Sequence, residues 1–553
     1  MNTTWIKNNT DLTKQISPDF WSDPAAYIQS YAMPIKKSGY HRNVFSFTID
    51  DSNKKILVKH FVASTFIEKL KWYLGKSPAK KEWVILNHLS NNNVLTPTPL
   101  AFGSQKGDSL INSWIAVEFI DNAVTFDNIR PPKSIKKTLY AARQLAETIA
   151  KVHFAAVHHG DLHSGNLLYI PPQIPPALNP KSGKWLITDF QRSKLNCFSR
   201  SNFVSDLVQL NHCLGKKVPL GVRAVFIKTY LQKFDELTDN NNEVADWEWK
   251  NLLFEIGKKS RLYSIYQAKS RNKRCLSSNK NFMAVNDFIP DNNYLHIFEN
   301  AWLYRGASKQ LINDLINLLS DANWFLNANV TIIKNRPSVA VGMWSHPQGN
   351  LFIKQYRYRN SLREKIMAHF HKSKSHRNWK ACWRLRNLHI NTPKPLLVAW
   401  TSRGGIIAWE SLSNAITSES ALLRFSTPNL KKQKLKIIRE IAAQIALLHN
   451  SGTEHGDLKS SNLLILNIDE KNPRAFFTDL DAAKFYNFIP WPRRIRDLAR
   501  LYAALYPFVS NPEIRYFMRI YLKKQNEIID VRQLIVSVRD RAEKKIIQKG
   551  MKS

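Results

Sequence analysis

The amino-acid sequence predicts an α+β fold built twice. Two tandem bilobal domains are expected, each a small sheet-rich lobe followed by a larger helical lobe. Three observations carry this. "HHGDLHSGNLL" from His158 and "EHGDLKSSNLL" from Glu454 are near copies. Six further landmarks recur in the same order at a spacing of about 290–296 residues: Lys59/Lys354, Thr96/Thr392, Glu118/Glu410, His153/His449, Asp189/Asp479 and Asp206/Asp497. That period is too long for a solenoid repeat, so each copy is a full domain. Each copy also begins with strand-like apolar runs and ends in helical periodicity.

The elements follow in order. "NVFSFTI" and "ILVKHFV" in the first copy, and "SVAVGMW" and "NLFIKQY" in the second, are apolar runs rich in β-branched and aromatic residues. They read as strands joined by hairpins. "KKEWVILNHL" and "NWKACWRLRNL" read as a helix after each hairpin. Another hairpin ends at the Glu118 or Glu410 segment. "LYAARQLAETIAKVH" and "KIIREIAAQIALLH" place apolar residues at helical spacing. The His-Gly-Asp motif falls in the loop after that helix, and Asp206 or Asp497 opens a further one. Residues 1–24 read as an N-terminal extension, 25–285 as domain 1, and 286–553 as domain 2 with a helical lead-in. The polar run from Ser277 marks the junction, and "TDNNNE" around Asn241 reads as a loop. Trp302, Trp324 and Trp344 read as core or lobe packing.

Composition narrows the class. A length of 553 residues allows about two to four domains, and 44% hydrophobic content supports real cores. No apolar run is long enough to span a bilayer. The polar start "MNTTWIKNNTDLTKQ" lacks the apolar centre of a signal peptide. Four scattered cysteines without a Cys-x-x-Cys pair argue against a zinc site or disulfide framework and fit a reducing cytoplasm. Lys and Arg number 81 against 43 Asp and Glu, a net charge of +38. That balance favours anionic partners, whether nucleic acid, acidic lipid or phosphorylated sugar, or reflects a proteome that runs basic.

The recurring residues are those of phosphoryl transfer. That chemistry needs a cation on the nucleotide phosphates, hard oxygen ligands for a metal, and a carboxylate to orient the attacking hydroxyl. Lys59 and Lys354 lie in apolar strands. Asp161 and Asp457 sit in loops after a helix, where a hydroxyl-orienting base belongs. Asn166 and Asn462, five residues on, and Asp189 and Asp479, each after a strand, offer oxygens suited to Mg²⁺. His159 and His455 read as loop supports. Lys459 reads as either a phosphate contact or a solvated charge.

The ordered set Lys, Glu, "HGD-x-x-x-x-N", "TD-hydrophobic" resembles the protein-kinase-like superfamily. "HGDLHSGNLL" is similar to its small-molecule branch of antibiotic and choline phosphotransferases. "KKEWVILNHLSNNNVLTPTPLA", "RNWKACWRLRNLHINTPKPLLV", "TDFQRSK" and "RDLARL" resemble the bacterial lipopolysaccharide core (heptose/Kdo) kinases, over about residues 35–240 and 330–525. The resemblance implies an ATP-dependent, Mg²⁺-requiring kinase acting on a sugar hydroxyl of the lipopolysaccharide inner core. It makes Asp161 and Asp457 catalytic. It gives Lys59, Glu82, Glu118, Lys354 and Glu410 to nucleotide binding, and Asn166, Asp189, Asn462 and Asp479 to the metal. Lipopolysaccharide core or another phosphorylated glycolipid and an anionic membrane surface are the expected partners, without nucleic acid. The expected place is cytoplasmic, peripheral at the inner face of the inner membrane. A soluble aminoglycoside- or choline-type kinase and a pseudokinase scaffold are the rivals.

Two departures stand out. Neither copy carries a Gly-x-Gly-x-x-Gly loop; "KKSGYHRNVF" and "PSVAVGMW" hold one glycine each, which counts against a protein kinase. Aligning Trp83 on Trp379 sets Glu82 opposite Asn378. Lys354 is therefore expected to lack its ion-pair partner, since Glu364 is misplaced by more than three helical turns. Copy one is expected to be the stronger catalyst.

Overall fold

The computed structural model describes residues 3–39, 42–49, 54–106, 111–129, 134–171, 183–215, 217–238, 248–288, 298–321, 323–357, 366–367, 369–401, 404–525 and 529–550. Glu364 and the loop around Asn241 lie outside them. The chain divides into two compact units, Met1–Tyr263 and Ser264–Ser553.

In the first unit, strands β1 (Thr4–Lys7), β2 (Met33–Gly39), β3 (Arg42–Thr48), β4 (Lys55–Ala63), β5 (Pro99–Lys106) and β6 (Ile111–Glu118) form an antiparallel sheet in the order β1-β5-β6-β4-β3-β2. Alternation dictates it. Ile56, Val58 and Phe61 of β4 are buried while intervening residues are more open. β1 extends the sheet from the N-terminal segment, and its Trp5 packs edge-on against Trp21, with ring centroids 5.0 Å apart. Phe20, Phe47 and Trp114 close a core on that face. The other face receives the Pro78–Asn91 helix, whose start is capped by Ser77 with proline in its first turn. Short strands β7 (Val124–Thr125), β8 (Leu167–Ile170) and β9 (Lys184–Ile187) form a separate sheet. It belongs to the helical part, built on the Ile135–Phe154, Arg200–Leu214 and Leu220–Leu237 helices. The first buries Leu145, Ala146, Ile149, Ala150 and Val152, the apolar stripe read from its sequence.

The second unit repeats the plan. Strands β10 (Phe282–Ala284), β11 (Glu299–Tyr304), β12 (Val330–Arg336), β13 (Val339–Trp344), β14 (Leu351–Arg357), β15 (Pro395–Thr401) and β16 (Gly404–Glu410) pair in the order β10-β11-β15-β16-β14-β13-β12. Val44 faces Lys59 across one hairpin and Val341 faces Lys354 across the other. The registers of the two repeats therefore correspond. The Lys374–Asn387 helix takes the place of Pro78–Asn91, and Lys431–Asn450 that of Ile135–Phe154. Trp324 is fully buried, Trp344 is buried and Trp302 is partly so.

One local expectation is corrected. Asp206 and Asp497 do not open helices; they lie within Arg200–Leu214 and Trp491–Leu505. Ser199 caps the first helix, and Pro492 sits in the first turn of the second. Each aspartate is thereby set more than a turn inside, facing the His-Gly-Asp loop.

Candidate active site

The His-Gly-Asp loop is built from beneath. Asp206 is fully buried, and its carboxylate accepts the backbone N–H groups of His159 at 2.7 Å and Gly160 at 2.9 Å. Asp497 does the same for His455 and Gly456, at 2.7 and 3.1 Å. Burial alone would raise these carboxyls. The neighbouring histidines, His153 or His449 foremost, outweigh it and hold both below the usual range. His153 and His449 each also contact a buried tyrosine hydroxyl, Tyr230 or Tyr521, at 2.8 Å.

Glycine is required in this loop. Gly160 has φ +74° and Gly456 φ +80°, and a Cβ there would meet the Arg192 or Ala482 carbonyl oxygen at 2.9 or 2.5 Å. His159 is almost wholly buried, and burial lowers its pKa. In the neutral tautomer its Nε2–H donates to the Thr188 carbonyl at 3.1 Å, and its Nδ1 accepts the Asp161 N–H at 3.2 Å. It holds the loop, as read from the sequence. His455 is fully buried against Phe477.

In the first unit Lys59, Glu82 and Asp189 come together. Lys59 Nζ lies 2.6 Å from Glu82 Oε1 and 3.8 Å from Asp189 Oδ1. Glu82 is only 2% exposed. Asn166 Nδ2 donates to the Asp161 carbonyl at 3.0 Å, spanning the five-residue spacing. Asp189 adopts a left-handed backbone, φ 70°, so the chain turns sharply after β9 and presents the carboxylate. The side chains of Arg42 (2.9 Å) and Gln191 hold the same carboxylate. Burial opposes ionisation of Asp189. Lys59 and Arg42 more than offset this and hold it well below the usual carboxylate range. Asp161 faces Arg192 Nη1 at 3.4 Å.

The second unit is wired differently. Lys354 is not unpaired, as its sequence context suggested. Its Nζ lies 2.7 Å from Asp479 Oδ1 and 4.7 Å from the Tyr356 ring centre. With no carboxylate on the following helix, the ammonium turns to the ionic partner left to it. Asn378 is fully buried, and its amide donates to the Tyr356 hydroxyl at 3.1 Å. Asp457 accepts from Asn462 Nδ2 at 3.2 Å and pairs with Lys459 at 3.0 Å. Burial would raise the Asp457 carboxyl, but Lys459 pulls it below its usual value. Asp479 repeats the left-handed turn with φ 54°.

Glu118 and Glu410 stand at the ends of β6 and β16. Glu118 accepts from the Thr98 hydroxyl at 2.8 Å, and Glu410 pairs with Lys394. They bind back to the preceding turn. Among the described residues, no hydrogen bond or ion pair joins them to the lysine clusters.

Four participants were missed in the sequence. Arg42 sits in "YHRNVF" as one basic residue among many, and only the β3–β4 register carries it to Asp189. Val339 holds the corresponding place, facing Tyr356 as Arg42 faces Phe61. Tyr356 alternates with Lys354 on its strand. Gln191 and Asp481 both lie two residues past the left-handed aspartate, in "TDFQRSK" and "TDLDAAK". Burial and then Asp479 raise the Asp481 pKa, while Lys354, Lys374 and Arg377 act against them.

The donor set fits a magnesium–nucleotide. In both units the Asn166 or Asn462 amide nitrogen is spent on the loop, at 3.0 and 2.9 Å. That leaves the amide oxygen to offer beside an ionised aspartate. Among the described residues there is no cluster of three or more His, Cys, Asp or Glu that could hold a metal unaided. Mg²⁺ on a nucleotide takes one or two protein oxygens and draws the remainder from phosphates and water.

The chain is similar to several known proteins. A solved structure of WaaP in complex with acyl carrier protein matches 46% of this chain and 99% of its own, at 15% identity and TM-score 0.33. The Rio2 kinase–ADP/Mg²⁺–phosphoaspartate complex from Chaetomium thermophilum matches over 44% of this chain and 75% of its own, at 16% identity and TM-score 0.26. The 3-deoxy-D-manno-octulosonic acid kinase of Vibrio cholerae serotype O1 is 33% identical over 99 residues, 18% of this chain and 41% of that enzyme. The chain thus spans less than half the length of this curated relative. The family described as Lipopolysaccharide kinase (Kdo/WaaP) matches residues 29–247 and again 341–521. Matched once in each repeat and over most of its length, the chain belongs to the lipopolysaccharide kinase (Kdo/WaaP) family.

Proposed function

We propose that the chain transfers the γ-phosphate of ATP to a sugar hydroxyl of the lipopolysaccharide inner core. The observation that carries this is the first unit's linked set: Lys59 on Glu82 at 2.6 Å, Asp189 within reach of the same ammonium, and Asn166 tied to the Asp161 loop. ATP with Mg²⁺ supplies the phosphoryl group and the charge that neutralises its oxygens. Lys59, fixed by Glu82, and Arg42 bind phosphate oxygens. Asn166 and Asp189 would hold the metal, and Asn462 and Asp479 would do so in the second unit. Asp161 and Asp457 orient the acceptor hydroxyl and take its proton, a role worth roughly 10²–10⁴ in rate.

The family and the Vibrio relative, whose name specifies a 3-deoxy-D-manno-octulosonic acid kinase, support this acceptor class. Core sugars are anionic and lipid-linked, which suits a chain of net charge +38. Basic residues near an anionic bilayer contribute about 1 kcal/mol each. Among the described residues no helix is long and apolar enough to cross a membrane. We propose that it works at the inner face of the inner membrane, where its charge would meet anionic lipid.

Transfer of label from γ-labelled ATP tests the reading. Purified core lipopolysaccharide should accept label, and free sugars, choline and aminoglycosides should not. Transfer to a free small molecule alone would replace this reading with the soluble-kinase one.

A further inference from the structure

The helix Phe66–Tyr73, between the Lys59 strand and the Glu82 helix, is built inside out. Phe66, Ile67, Leu70, Tyr73 and the capping Leu74 are 53–81% exposed. At 3.6 residues per turn these five form one stripe about 120° wide. Lys69 falls just beyond one edge of the stripe and Lys71 just beyond the other, with Lys76 following. The inward face carries Trp72, which packs against the first unit's core. The helix is also fixed in place. Thr65 and Glu68 form a reciprocal capping box, in which the Glu68 carboxylate accepts the Ser64 and Thr65 N–H groups at 3.0 and 3.1 Å. An apolar stripe pinned outward and rimmed by lysine is a binding surface, since folded chains seldom leave such a face to water.

Charge selects the occupant. A second copy would bring its own Lys69 and Lys71 and another +38 against the first. An apolar protein groove would offer no anion to the exposed Lys71 and Lys76. An anionic bilayer satisfies both parts at once: side chains enter the boundary between headgroups and acyl chains, and lysines meet the phosphates. The second unit repeats the theme at the corresponding place. Between β14 and the Lys374–Asn387 helix, Ile366 and Phe370 are exposed, and Lys372 Nζ lies 5.9 Å from the Phe370 ring.

We propose that the Phe66–Tyr73 helix docks the protein on an anionic membrane surface by inserting Phe66, Ile67, Leu70, Tyr73 and Leu74 below the headgroups. The proposal rests on the membrane-surface reading above and gives it a location. Docking there would hold the Lys59–Glu82 site, on the two elements flanking this helix, close to a lipid-linked acceptor.

Flotation of the full chain with vesicles tests it, comparing pure phosphatidylcholine with a phosphatidylcholine–phosphatidylglycerol mixture. The parent should bind the anionic vesicles and keep a bound fraction at high salt. Phe66→Ser with Leu70→Ser should lower the apparent affinity at least about tenfold. Lys69→Gln with Lys71→Gln should lower it about fivefold or more, and only at low salt. The serine variant should melt at the parent value, because Phe66 and Leu70 are exposed. If the serine variant binds as the parent does, the helix is not the dock and the proposal falls. If it instead turns a dimer into a monomer in sedimentation with vesicle binding unchanged, the face joins copies, and the proposal also falls. Transfer to detergent-dispersed core reports on the catalytic reading separately, so loss of docking with retained transfer overturns neither the site nor the acceptor.

Discussion

Replacing Glu82 by glutamine isolates the charge that positions Lys59. The change keeps volume and leaves an oxygen to accept from the ammonium. Glu82 is 2% exposed and 2.6 Å from Lys59. Breaking a buried pair at one end usually costs about 3–5 kcal/mol because the other charge is stranded. Here Asp189 already lies 3.8 Å from the same ammonium, so Lys59 is not stranded. A loss of about 1–3 kcal/mol is expected, read as a lower melting temperature. The second unit shows where Lys59 should go. Lys354, with asparagine opposite, sits 2.7 Å from Asp479. A lysine drawn onto the aspartate proposed to hold the metal is misplaced for phosphates, and phosphoryl transfer depends on position and electrostatics. The rate at saturating ATP should fall about 10–100-fold, or about 1.4–2.7 kcal/mol of barrier. The assay is initial-rate transfer in an Asp457→Asn background, so that the first unit is read alone. A rate within twofold of the parent, whatever happens to stability, would refute the positioning argument.

Three further outcomes follow from the same contacts. Arg42→Ala should weaken nucleotide binding by the first unit about three- to tenfold, the half-exposed guanidinium being partly screened. Val339→Ala should leave the second unit's binding unchanged, and fluorescent-nucleotide titration reads both. Gly456→Ala should destabilise the second unit by about 1–3 kcal/mol, since φ is +80° and the new Cβ would meet the Ala482 carbonyl. A melt that matches the parent contradicts that strain. Asp481→Asn should stabilise the protein at neutral pH. Burial and Asp479 raise the folded pKa of Asp481, so its carboxyl favours the fold below the unfolded value of about 4. That contribution is lost as pH rises through the folded value. The difference in melting temperature between parent and variant should therefore shrink toward pH 4. A variant destabilised at pH 7 would mean that Asp481 acts chiefly as a charge partner of Lys354.

Much of this was legible before any coordinates. Alternating apolar runs put Lys59 and Lys354 on strands, and the Asp–Asn spacing of the loop became a hydrogen bond in both repeats. The repeat itself exposed Asn378 opposite Glu82. What the sequence withheld was the response to that loss. Whether Lys354 stays idle or turns to Asp479 depends on distances between β14 and a loop 125 residues later. Arg42 was hidden for a similar reason: one arginine in a chain of 81 basic residues carries no signal until strand register sets it over Asp189. Asp206 and Asp497 were visible as landmarks, but their work, holding two loop N–H groups each, appears only when a helix is packed under the loop. Nothing in the sequence sets the outward stripe at Phe66 apart from an apolar helix face turned to a core. Only packing shows which side of that helix meets water.

The two repeats should be unequal catalysts, because the first keeps Glu82 and Arg42 around its lysine and aspartate while the second does not. The most direct measurement is to make Asp161→Asn and Asp457→Asn separately and map the phosphorylated positions on core lipopolysaccharide. Asp161→Asn should remove more than about nine-tenths of transfer while nucleotide binding persists, and Asp457→Asn should remove less, or only a second phosphate position. Equal losses at one position, or a larger loss from Asp457→Asn, would contradict it.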